Sequence, residues 1–316
     1  MLKNLAAALS LAFLSAPALA SEPTIPIIVK DTTALYWQTV LAGARKAGKD
    51  LGVNVPELGA QGESDVADEI ITLNDALAEK PVAIVIAPSQ FQPLGKPIDE
   101  AAKRVKVVGI DSTADTKSFA SFLATDGAAS GRIAADGLAA AIQEKYGKAA
   151  GDVALIVSPP GPGSTDQRAK GFKDEIAAKF PDLKIVAEKS ADGQAAALKA
   201  ATDMIAAAPS LRGLFAANLA AARGAGQALA ESRKADAIKG IGFDFDPETI
   251  KYLEDGVLSG LVVQDPFRMG YDGIKTALAA SKGEPVPASV DTGANLITKA
   301  NMDLPRSQEL LNPKIK

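Results

Sequence analysis

Short runs of β-branched and small apolar residues alternate with Ala-rich amphipathic stretches from one end of this sequence to the other. No other feature limits the fold so tightly. Candidate strands lie at residues 25–29, 53–58, 83–87, 106–110 and 121–124, then at 152–157, 184–187, 213–216 and 237–241, with later runs at 260–263 and 295–297. Between them, stretches at 34–51, 65–79, 128–145, 165–180, 195–208, 220–231 and 267–281 place apolar residues three and four apart, the helical period. Strands followed by helices of this length make βαβ units, right-handed crossovers and parallel sheets. So many strands overfill one sheet for a chain of 316 residues, so the reading divides them into two. Near 125–129 a strand pattern runs into a Gly-containing turn without a helix, which marks the division. Asp265-Pro266 marks a return, since Pro cannot continue a central strand.

The first twenty residues read as a removable leader. Lys3 supplies a positive charge, residues 5–14 are largely apolar, and Ala18-Leu19-Ala20 precedes Ser21 as a small-residue cleavage site. The mature chain is then expected to begin near Ser21 and to act outside the cytoplasm, in the periplasm. A secreted chain with no cysteine relies on core burial, for which 47% hydrophobic residues suffice. Lys and Arg are scattered and the net charge is −4, which argues against nucleic acid and against an anionic membrane surface as partners. There is also no histidine. Without His or Cys there is no Ser-His-Asp triad, no Cys-His pair, no HExxH motif and no ordinary zinc site, so no metal or cofactor is expected. Only carboxylate, Lys or Tyr chemistry is left to an enzyme.

Ligands of open parallel α/β sheets bind beyond the carboxyl ends of the strands. The residues that follow each apolar run are therefore the candidates. They are Lys30-Asp31-Thr32-Thr33, Pro88-Ser89-Gln90, Asp111-Ser112, Ser158 with Arg168 a few residues on, Asn218, Asp244 and Gln264. Carboxylates, amides and charged donors together suit sugar hydroxyls, which both donate and accept. Tyr36 and Trp37 offer apolar faces for the C–H side of a ring. Each position also has a plainer reading: Asp111, Asn218 and Asp244 as caps or turn formers, Arg168 as half of a surface pair, Trp37 as core. Their joint placement at strand ends carries the inference.

Seven segments then come into register: IPIIVKDTTALYWQTVLAGARKAGKDLGV, VVGIDS, SFLATD, STDQRAKGF, GLFAAN, GIGFDFDPE and VVQDPFRMGYDG. In order and spacing they resemble the periplasmic monosaccharide-binding proteins of ABC importers, the ribose- and allose-binding group of type I periplasmic binding proteins. The resemblance implies an α/β fold of two Rossmann-like lobes, each a parallel sheet flanked by helices, joined by a three-segment hinge. The lobes would be 21–126 plus 265–290 and 127–264 plus 291–316. It implies a ring sandwiched by Tyr36 and Trp37, with polar contacts from Asp111 and Arg168 in opposite lobes and from Asn218, Asp244 and Gln264. Lys30 stands where allose-type members carry Lys and ribose-type members Ser, so it too is expected at a hydroxyl. Departures follow: Ala34-Leu35 replaces an Asn-Pro, Leu219 an acidic residue, and Gly193-Gln194 the second lobe's aromatic wall. Gln194 thereby joins Ser112 among the expected contacts, and ribose itself fits less well than a hexose, a deoxy or keto sugar, or a polyol. An inner-membrane ABC permease is the implied partner of a monomer that performs no chemistry.

Other readings are weaker. A secreted glycosidase has Asp111, Asp126, Asp244 and Asp246 to draw on. A nucleotide-dependent oxidoreductase lacks its fingerprint, because Asp166, Leu229 and Phe245 stand where the third glycine of GxGxxG belongs. A sugar-responsive regulator needs a helix-turn-helix segment where this chain has its leader. Within the binding class, a polyol or furanone signal is the alternative to a sugar.

Overall fold

The computed structural model describes residues 22–60, 66–159 and 163–313, so the expected leader lies outside the described residues. The first half of the chain runs β1 (Ile27–Val29), α1 (Leu35–Leu51), β2 (Glu57–Gly59), α2 (Val66–Ala78), β3 (Ala83–Ile86), α3 (Phe91–Ala102), β4 (Lys106–Ile110) and β5 (Ser121–Ala124). It continues with α4 (Gly127–Tyr146), β6 (Gly151–Val157), α5 (Gly163–Lys179), β7 (Leu183–Ser190), α6 (Gly193–Ala207), β8 (Leu211–Ala216), α7 (Leu219–Glu231), β9 (Lys239–Phe243), α8 (Pro247–Glu254) and β10 (Gly260–Gln264). The chain closes with α9 (Pro266–Ser281), β11 (Ser289–Asp291), β12 (Ala294–Ile297) and α10 (Pro305–Leu311).

These strands form two six-stranded sheets, ordered β11-β5-β4-β3-β1-β2 and β12-β10-β9-β8-β6-β7. The second order repeats the first, with β6 to β10 in the places of β1 to β5. The central strands are apolar on both faces because helices cover both. Ile27, Ile28 and Val29 are buried, and full burial of such a side chain is worth about 1.5–3 kcal/mol. The chain passes between the sheets three times: after β5, after β10 and between β11 and β12. Strands β5 and β10 both leave for the other lobe from their carboxyl ends, so the carboxyl ends of the two sheets face one another. β12 arrives from β11 without a helix and runs antiparallel to β10, the one pairing a direct passage permits there.

Glycine sets the closest helix contacts, and it does so at matching places. A Cβ on Gly270 of α9 would lie 1.9 Å from the Val40 carbonyl oxygen of α1, and one on Gly43 of α1 would lie 1.9 Å from that of Phe267. In the other lobe a Cβ on Gly131 of α4 would lie 2.1 Å from the Arg168 carbonyl oxygen of α5, and one on Gly171 would lie 2.1 Å from that of Ala128. Both pairs bring a hinge-following helix against the helix that opens its sheet.

Some elements differ from expectation. The run at 53–58 becomes a strand only from Glu57, and the run at 237–241 is paired over Lys239–Phe243. α3 holds Pro97 within a helical turn and was not expected, because proline lacks the donor that a helix interior uses. β11, α8 and α10 are too short to show a period.

Candidate functional site

The first lobe contributes a polar cluster assembled from two strand ends and one helix start. Lys30 follows β1, and its Nζ donates to Asp111 Oδ2 and Ser112 Oγ, both at 2.7 Å. The Ser112 hydroxyl donates to the same Asp111 oxygen at 2.7 Å. Tyr36, at the start of α1, donates from its hydroxyl to Asp111 Oδ1 at 3.0 Å. Burial alone would raise the Asp111 carboxyl, but the Lys30 ammonium and the Ser112 and Tyr36 hydroxyls outweigh it and hold the group below the ordinary Asp value. Asp31 does not join the cluster; its Oδ1 accepts the backbone N–H groups of Thr33 and Ala34 and shapes the turn into α1.

Tyr36 and Trp37 meet edge to face, with ring centroids 4.9 Å apart and planes at 88°. Trp37 is buried in the first lobe's core, and the Lys30 ammonium lies 5.4 Å from its ring centroid. The two rings are therefore perpendicular to each other rather than parallel.

The second lobe answers with Arg168, Asp244 and Gln264. Arg168 projects from α5 and is 6% exposed, with its guanidinium carbon 3.7 Å from the Phe243 ring centroid. Its Nη1 donates to the Ala217 carbonyl at 3.1 Å, while Nε is sealed from water with no hydrogen-bond partner. Gln264, at the end of β10, donates to Asp244 Oδ1 at 2.9 Å. Burial pushes the Asp244 carboxyl above its ordinary value; Arg168 and Gln264 oppose this incompletely, and Asp111 adds to it.

Asp111 and Asp244 hold the same place in the two repeats. Each follows the fourth strand of its sheet with a left-handed backbone, φ 61° and 62°. Each donates its N–H to the neighbouring strand, Asp111 to Leu123 at 3.0 Å and Asp244 to Val262 at 2.8 Å. Asp tolerates this conformation better than most residues because its short side chain bonds locally. The two clusters also sense each other. The charges of Asp244 and Arg168 act on the Tyr36 hydroxyl, which burial and Asp111 raise far above the usual phenol range, so it stays protonated as a donor. Both clusters stand at the carboxyl ends of their sheets, the ends that the crossings turn toward one another.

Three candidates are engaged otherwise. Asn218 caps α7, its Oδ1 accepting the Ala221 N–H at 2.7 Å, and its Nδ2 donates to Ser158 Oγ at 2.6 Å. Gln194 Nε2 points to Glu248 Oε1 at 3.1 Å and Gln227 Oε1 at 3.5 Å, partners on α8 and α7 outside both clusters. Ser89 uses its backbone N–H on the buried Glu69 carboxylate. Asp126 and Asp246, weighed above as acid–base residues, cap α4 and α8, and Asp246 also pairs with Arg223. Phe243, which supports Arg168, was missed because an aromatic at a buried strand end reads as core. Among the described residues no group of three or more His, Cys, Asp or Glu is placed to hold a metal, and no helix is long and apolar enough to cross a membrane.

Comparison with known proteins agrees with this geometry. A domain family described as periplasmic binding protein domain matches residues 25–285. The ribose import binding protein of Escherichia coli K12 is 28% identical over 307 residues, covering 94% of this chain and 99% of that protein. The D-allose-binding periplasmic protein of the same organism is 28% identical over 271 residues, covering 83% and 86%. Among solved structures, a carbohydrate transporter solute-binding protein from Agrobacterium radiobacter in complex with D-arabinose is 61% identical with a TM-score of 0.84, covering 93% of this chain and all of that one. An ABC transporter solute-binding protein from Agrobacterium vitis, bound to α-D-tagatopyranose, is 28% identical with a TM-score of 0.82, covering 92% and 99%. With the matched family spanning most of the sequence and both sheets, the chain belongs to the type I periplasmic sugar-binding proteins.

Proposed function

We propose that this protein captures one monosaccharide between its lobes and delivers it, unaltered, to an ABC-type permease after export to the periplasm. The observation that carries the reading is the pair of polar clusters at equivalent strand ends of the two sheets, Lys30, Tyr36 and Asp111 on one and Asp244, Gln264 and the neighbouring Arg168 on the other. Arg168 has five N–H donors, of which Nη1 gives one hydrogen to the Ala217 carbonyl, so its guanidinium has donors to offer ligand hydroxyls. Lys30, Tyr36, Asp111 and Ser112 would hold the sugar on the first lobe; Arg168, Asp244 and Gln264 would complete its shell from the second. Asn218 retains one amide hydrogen for the ligand, and Gln194 would have to leave Glu248 to reach it.

The proposed lobes are residues 21–126 with 265–290 and 127–264 with 291–316, closing about the three crossings. Contacts that exist only when both lobes reach the ligand favour the closed form by their differential affinity. D-Arabinose is the first sugar to test, given the ligand of the 61% identical structure. A thermal-shift screen with D-arabinose, D-ribose, D-allose, D-fucose, D-tagatose and xylitol checks the reading, because a ligand that binds only the folded state raises its stability. A selective rise with at least one of these sugars is expected; a flat response to all of them contradicts the assignment. Nitrophenyl glycosides should remain intact in the same protein.

A further inference from the structure

The three passages between the lobes are tied into one belt. Asp126 of the first donates its N–H to Asp291 of the third at 3.0 Å, and the hydroxyls of Thr125 and Thr292 lie 3.5 Å apart. Arg268, just past the second, reaches the Thr292 carbonyl at 3.5 Å. Asp265 is the second passage itself. Its Oδ1 caps α9 by accepting the Arg268 N–H at 3.0 Å, and its Oδ2 receives Arg306.

Arg306 comes from elsewhere. It sits on α10, whose Leu310 and Leu311 pack into the second lobe's core, whereas α9 packs on α1 in the first. A recess of about 570 Å³, lined by Phe267, Tyr271, Leu310 and Pro313 among others, separates α9 from α10 beside this pair. The Arg306–Asp265 ion pair joins α10 to the start of α9 beside this recess. An Arg in the first turn of a helix opposes the helix dipole. Although Arg306 Nη1 also reaches Glu309 Oε2 of its own helix at 3.3 Å, that carboxylate is exposed, unlike Asp265. The Asp265 side chain is 7% exposed, which shields the pair from solvent screening more than an open surface pair.

We propose that Arg306, through Asp265, is a positioning residue for ligand retention: a strut from the second lobe to the hinge that stabilises the closed form without touching the sugar. The inference rests on the closing-cleft reading above. A contact specific to the closed form should slow ligand release and affect capture much less.

Trp37, the single tryptophan in the sequence, lies beside Lys30 and reports on the cleft. Stopped-flow fluorescence with D-arabinose as probe compares wild type, Arg306→Ala, Arg306→Lys, Asp265→Asn and the Arg306→Ala/Asp265→Asn double variant. Asn at 265 keeps the cap on α9 while removing the charge. Arg306→Ala should raise koff by about fivefold and kon by no more than about twofold as the free protein opens, a shift of the size that partly exposed pairs supply. Asp265→Asn should match it, the double variant should add nothing further, and Lys should recover part of the loss. In parallel, the ligand-free Arg306→Ala protein should scatter X-rays with a larger radius of gyration than wild type, a readout that needs no sugar. A wild-type koff, additive effects in the double variant, or an unchanged radius of gyration each overturns the strut. If wild type ignores every sugar, the site reading fails by itself and the scattering result still decides the strut.

Discussion

At the scale of single residues, the two lobes prepare for a ligand differently. Asp111 is engaged on both oxygens, Oδ2 by Lys30 and Ser112 and Oδ1 by Tyr36, which leaves Oδ1 an acceptor site for a ligand hydroxyl. The second lobe keeps a buried donor free on Arg168 and an acid raised by burial at Asp244. Replacing Arg168 or Asp244 by Ala should therefore cost about 1.5–3 kcal/mol of sugar affinity by calorimetry, the value of hydrogen bonds to charged groups. Asp244 also predicts a pH effect on the ligand-free protein. Its pKa is higher folded than unfolded, so the folded state holds the proton more tightly, and ionising Asp244 lowers stability as pH rises through that pKa. Asp244→Asn should thus melt above wild type at pH 7, and its advantage should shrink as the medium is acidified. An Asn variant that melts lower at pH 7 would remove burial as the dominant influence. Asp111 has the opposite sign: its stabilising ionisation persists well into acid and is lost only below the ordinary Asp range. The strand-end rule picks out Lys30, Asp111, Arg168, Asp244 and Gln264 from the sequence as expected contacts, and the structure sets Lys30 against Asp111 and Gln264 against Asp244. It does not register local partners, such as the Ala221 N–H that Asn218 caps and the Glu248 carboxylate that Gln194 reaches.

At the scale of elements, the site depends on how closely helices approach. α5 carries Arg168, and Gly131 of α4 touches that residue's own carbonyl oxygen. Gly131→Ala and Gly270→Ala should each destabilise the fold by about 1–3 kcal/mol, as overpacking does, measurable in chemical denaturation. Gly131→Ala should in addition weaken sugar binding, because the displaced atom belongs to the helix that aims Arg168. Equal binding by both variants would detach the α4–α5 contact from the site. The alternation of strand and helix periods predicted most elements, since buried parallel strands read as continuous apolar runs. α3 escaped because Pro97 contradicts its period, and β11 because three residues carry none.

At the scale of the whole molecule, one architecture occurs twice. Each half has the same strand order, a left-handed Asp after its fourth strand, and a Gly-mediated helix pair behind its first. The two strand ends that leave for the opposite lobe turn both carboxyl edges toward one another, which is why a reading of strand ends draws its expected contacts from both lobes. The proposed closure is a rotation about these three passages, with the sugar as the bridge. Small-angle X-ray scattering on wild-type protein, free and then saturated with the sugar giving the largest thermal shift, tests this most directly. A smaller radius of gyration in the saturated sample, absent in Arg168→Ala at the same sugar concentration, is the predicted result. An identical radius of gyration with the site demonstrably filled would contradict closure around the ligand.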